Sequence, residues 1–148
     1  MSRIDVLRPF VEKNLAALVG SEKVAPDASG EYVFPHGSAE ISLRLLDDPF
    51  PMIQLSSVLV SKPKKHARLL DALNTLNASE LAIRLFKYED LIIAAWEVPA
   101  DSLDDRQFHD ICARFAEAAD RLDTVLAKRF GGKMARADQD DDEEAVDA

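Results

Sequence analysis

His109 and Cys112 stand three residues apart, a spacing that brings two side chains together on one face of a helix. A thiol beside an imidazole is a nucleophile beside its base. The apolar residues around the pair argue instead for Cys112 as a small buried hydrophobe flanked by His109. His36-Gly37-Ser38 sets a serine near a histidine, but it lacks the flanking glycines of a nucleophile elbow. A hairpin turn explains it better, because glycine enters positive φ without steric cost. A structural zinc ion takes about four ligands, and Cys112 with the scattered His36, His66 and His109 does not compose such a set. The chain has 5 glycines, none at the spacing of a phosphate-cradling or dinucleotide loop. Asp47-Asp48 and Asp104-Asp105 read as turn and cap residues. The residues therefore offer no catalytic group, no metal site and no cofactor. Asn74, inside the last turn of a helix, has no structural account and is a candidate binding residue.

The elements that would carry these residues follow from periodicity. A first helix lies within residues 2–19, with Ile4, Leu7, Val11, Leu15 and Leu18 at helical spacing and a capping box between Ser2 and Asp5. Pro9 either kinks it or begins its regular part. Strands are expected at 31–34, 39–45 and 52–60. In the second, Ala39, Ile41, Leu43 and Leu45 share one face. A second helix spans about 63–76, opened by Pro63 and stopped by Asn77 in the left-handed region. Strands 81–88 and 91–98 form a hairpin across Glu89-Asp90. The last helix has an Asp104/Gln107 capping box and a stripe of Phe108, Ile111, Cys112, Phe115, Ala119, Leu122, Leu126 and Phe130, ended by Gly131-Gly132. The expected fold is α+β, an α-β-β-β-α-β-β-α sandwich with a mostly antiparallel sheet and helices on one face.

The formal net charge is −9. Residues 133–148 hold 7 acids and 2 bases, a net of −5 that leaves −4 on the body. Two units are expected: a domain over 1–132 and a disordered acidic tail over 133–148. Neither suits nucleic acid, which needs cations to displace phosphate counterions. The N-terminus meets charge before any apolar run, and no stretch approaches the ~20 apolar residues of a membrane span. The single cysteine fits a reducing, cytoplasmic setting.

Tyr32-Val33-Phe34-Pro35-His36-Gly37-Ser38-Ala39, then an alternating strand, then Leu73-Asn74-Thr75-Leu76-Asn77, then Arg129-Phe130-Gly131-Gly132, resembles the YbjN-type branch of the type III secretion chaperone-like proteins, short actinobacterial members in particular. The resemblance runs from about 31 to 132. It implies the secretion-chaperone fold, peptide or protein binding without catalysis, and a homodimer. The alternative is a regulatory or signalling adaptor that holds one folded partner.

A binding surface can be placed by strand alternation. If Ile41, Leu43, Ile53, Leu55, Ile83 and Leu85 face the helices, then Ser42, Arg44, Gln54, Ser56, Arg84 and Phe86 face away. Arginines and aromatics anchor interfaces. Arg44, Gln54, Arg84 and Phe86 are thus candidate peptide-binding residues, joined by Asn74 and by Trp96, whose strand reads in either phase.

Overall fold

The computed structural model describes residues 3–64 and 66–136. Its elements are α1 (Arg3–Val19), β1 (Tyr32–His36), β2 (Ala39–Leu46), β3 (Met52–Ser61), α2 (Leu69–Ser79), β4 (Arg84–Tyr88), β5 (Leu91–Pro99) and α3 (Asp105–Phe130). The element order is the expected one. The strands form a single antiparallel sheet in the order β1-β2-β3-β5-β4. The two-residue link after β4 sets Tyr88 opposite Leu91, and β5 then pairs with β3 on its other side.

The core lies between the sheet and α3. The stripe on α3 is buried as its spacing predicts, from Phe108 through Cys112, Phe115, Ala119, Leu122 and Leu126 to Phe130, against the β2 and β3 residues Ile41, Leu43, Ile53 and Leu55. The capping box is present: Gln107 N–H donates to Asp104 at 2.7 Å and the Gln107 side chain accepts from Asp104 N–H at 3.1 Å. α1 remains helical through Pro9. It packs on the core with Val11 and Leu15, and Phe10 meets Phe108 edge-on at 5.7 Å. The cap expected from Ser2 lies outside the described residues.

Three expectations need correction. α2 begins at Leu69 and ends at Ser79, six residues later than Pro63 suggests. The strap before it is held by bonds to other elements: Lys62 N–H donates to Asp90 C=O at 2.7 Å, and Lys64 N–H to Phe130 C=O at 2.9 Å. Asn77 therefore does not stop the helix, which ends at Glu80 with an ordinary negative φ. The domain boundary also moves. Lys133 exchanges two backbone bonds with Ser61, at 2.8 and 2.9 Å, and Arg136 N–H donates to Ser38 C=O at 3.2 Å. Residues 133–136 are thus part of the body, whereas 137–148, the rest of the expected disordered tail, lie outside the described residues.

Candidate functional site

The groups with chemical potential are occupied structurally. Cys112 is 1% exposed, and burial pushes its thiol up to about 12. His109 turns away from it, with Nε2 3.1 Å from Asn14 Oδ1. Asn14, itself buried, donates to Phe10 C=O and to Asp105, each at 2.9 Å. The pair at 109 and 112 is therefore a joint between α1 and α3 beside a core thiol. Ser38 is buried in the β1–β2 turn. Its hydroxyl lies 2.9 Å from one oxygen of Asp120 and from both oxygens of Asp123. Among the described residues no group of three or more His, Cys, Asp or Glu is placed to hold a metal.

The sheet's second face is open, and its rows follow from the register. One row runs Val33, Ser42, Ser56, Ala95, Arg84 across all five strands. Beside it lies Arg44, Gln54, Glu97. The structure brings Arg44, Gln54, Arg84 and Phe86 to this one face, as alternation requires. Its cations are not free. Arg44 pairs with Glu31 at 2.8 Å and Arg84 with Glu97 at 2.6 Å, and Gln54 donates to the same Glu97 at 2.9 Å. Exposed pairs of this kind contribute ~0–1 kcal/mol each, so a ligand can displace them at small cost.

Around Phe86 the same face holds further apolar residues that the sequence reading missed. Val58, Ile93 and Phe86 form one row across β3, β5 and β4, and Leu91 and Tyr88 stand beside them. Val58 is 39% exposed and Tyr88 60%. The Arg84 guanidinium sits over the Phe86 ring at 5.5 Å, so the patch already has a cation against its aromatic edge.

Trp96 and Asn74 are elsewhere. Trp96 pairs with Leu55, a core residue, and therefore points to the helix side. There it lines a cleft of roughly 450 Å³ with Leu81, Ile83, Arg114 and Arg121. Asn74 is on the exposed side of α2. Its neighbour Asn77 is the asparagine with a specific role. The Asn77 side chain accepts from Leu85 N–H at 2.7 Å and donates to Leu85 C=O at 2.9 Å, taking the place of a strand partner at the outer edge of β4.

Comparison with known proteins bears on this arrangement directly. Residues 5–138 match the model of the family described as T3SS (YopN, CesT) and YbjN peptide-binding chaperone 1. The chain belongs to this family. The fold recurs in solved structures. A chain of the ExsC–ExsE complex aligns with TM-score 0.70 at 14% identity, over 85% of this chain and 97% of that one. A chain of the HopA1–SchA chaperone–effector complex aligns with TM-score 0.61 at 12% identity, over 82% and 98%. YbjN from E. coli aligns with TM-score 0.55 at 16% identity, over 86% and 93%. At such identities the likeness establishes the fold, and the family match establishes the class. No curated protein sequence matches the chain.

Proposed function

We propose that this chain is a non-enzymatic, chaperone-like module that holds a segment of a client protein on its open sheet face. The observation that carries the reading is the partly exposed apolar row Val58, Ile93, Phe86, extended by Leu91 and Tyr88, on a face whose arginines are ion-paired. Covering about 200 Å² of apolar surface at ~25 cal/mol per Å² supplies about 5 kcal/mol, short of the ~8 kcal/mol of a micromolar complex. Polar contacts must add to it: Arg84 adjoins Phe86, and Arg44 and Gln54 stand two rows farther along the same face. The family description supports peptide binding.

We extend the proposal to a homodimer in a cytoplasmic setting. The resemblance supports the dimer. The single, buried cysteine agrees with a reducing compartment, and among the described residues no helix is long and apolar enough to cross a membrane.

Photocrosslinking tests the surface. A photoreactive residue at position 93 should trap client peptides, whereas one at position 74 should not. Isolated unfolded segments of the client should suffice. A requirement for the folded client would favour the adaptor reading instead, and trapping at 74 alone would move the site to α2.

A further inference from the structure

The open face is not the only charged surface. At the end of the molecule where α3 stops, separate elements bring their cations together. Lys62 and Lys64 come from the strap after β3, Arg68 from the start of α2, Lys87 from β4, Lys128 and Arg129 from the last turn of α3, and Lys133 from the segment beyond. The Lys64 stem reaches to within 3.3 Å of the space beside Gly131, Arg129 lines a shallow groove with Arg68, and Lys87 lines a cleft with Lys64, His66, Leu69 and Leu70. All seven cations are exposed, and none is ion-paired with a described residue. Lys128 and Arg129 complement the helix dipole. The others have no such role, and the acids lining the cleft and groove are Asp90 and Asp71.

In a protein of net charge −9, seven cations without an ion pair to a described residue gather at one end. Residues 137–148 supply the complement: seven acids (Asp138, Asp140, Asp141, Asp142, Glu143, Glu144 and Asp147) and no base. Lys133 is bonded to Ser61, the neighbour of Lys62, and Arg136, three residues later, is bonded to the Gly37 and Ser38 carbonyls of the β1–β2 turn. The 12 residues beyond it can span up to ~40 Å when extended, enough to turn back across the end of α3. Tethering sets an effective concentration of about 1 mM, so a contact too weak to hold a separate peptide is still about half-occupied.

We propose that the acidic segment 137–148 docks on this basic end, across the cleft lined by Lys64, His66, Leu69, Leu70 and Lys87. The open face is the poorer seat for it, because its two arginines, Arg44 and Arg84, stand beside Glu31 and Glu97, whereas the basic end gathers seven cations. An external acidic segment that used the basic end would first have to displace the tail.

The test is paramagnetic relaxation in the full chain carrying Cys112→Ala and Val146→Cys, with a nitroxide on the new thiol. In low salt, amide signals at 62–64, 66–70, 87 and 128–133 should lose intensity selectively relative to the reduced label, by more than half at the cleft, because rapid exchange averages the strong broadening of the docked state over all molecules. About 0.5 M salt, where screening is short-ranged, should restore them. So should the combined variant Lys64→Glu, Arg68→Glu, Lys87→Glu, whose fold is checked by unchanged signals from β1–β3. Uniform weak broadening, broadening centred on Arg44 and Arg84, or broadening that survives charge reversal would each overturn the proposal.

Discussion

Asp123 is a 1%-exposed acid on α3 with no ion pair to a cation among the described residues. Its partners are the hydroxyls of Ser38 and Thr124, at 2.9 and 3.1 Å. The Ser38 hydroxyl carries one proton and lies equally close to Asp120. A proton on Asp123 resolves the shortage, since Asp123 then donates to Ser38 and Ser38 to Asp120. Burial accordingly pushes the Asp123 carboxyl above its usual range, against the opposing effect of those hydroxyls, and the nearby Asp120 charge raises it further. The folded chain thus holds this proton more tightly than the unfolded one. The group's stabilisation is full below its ordinary value of 3.8 and is lost as pH rises through the raised value. Asp123→Asn should therefore flatten the fall in melting temperature as pH rises above about 3.8, and a pH dependence as steep as wild type in that variant would contradict the account. Gly37, in the same turn, has φ of +59°, and a Cβ there would overlap the Asp120 carboxylate. Gly37→Ala should cost about 1–3 kcal/mol in a denaturant titration. Cys112 should resist thiol reagents at pH 8 until the chain is unfolded, as its thiol is pushed up to about 12. The turn at 36–38 was legible in the sequence. The carboxylates that lock it were not, because they come from more than eighty residues away.

Among the elements, α3 was the most legible, since its cap, stripe and stop agree. α2 was misplaced because its start has no capping side chain at Arg68, while Pro63 carries a first-turn signal that long-range bonds of the strap override. The phase of Trp96 was within reach. With Leu85 facing inward and a two-residue link at Glu89-Asp90, the hairpin pairs Leu85 with Ala94. Trp96, two residues on, then shares the inner face, and Ile93 and Leu91 join Phe86 and Tyr88 outside. The same register exposes the apolar row. On β3 the row was harder to see, because the register shifts between Val58 and Val60. Asn77 makes a prediction at this scale. Asn77→Ala leaves Leu85 without partners for its N–H and C=O at the sheet edge, and unmet buried groups cost ~1–3 kcal/mol. Hydrogen exchange at β4 should rise with little change at β2, whereas uniform behaviour across the sheet would show that Asn77 does not hold the edge.

For the whole molecule, average charge concealed a division. The net acidity argues against anionic partners, yet seven exposed cations gather at the α3 end, and only folding brings those of the strap, α2, β4 and α3 together. The C-terminal segment divides similarly. A chain ending at Arg136 should unfold within about 2 °C of the wild-type temperature, since a half-occupied contact adds only about 0.4 kcal/mol. One ending at Gly132 loses the bonds at Ser61 and Ser38, each worth about 0.5–1.5 kcal/mol, and should melt several degrees lower; equal melting would mean that 133–136 add nothing. Light scattering should give twice the 16.4 kDa of one chain if the proposed dimer forms, and a monomer mass would remove that part of the reading. The central claim, that the open face holds a client segment, is tested most directly by affinity. Peptides selected on the wild-type protein should be measured against a folded Ile93→Asp, Phe86→Ala variant. The account predicts at least about tenfold weaker binding, the equivalent of 1.4 kcal/mol, and unchanged affinity in that variant would contradict it.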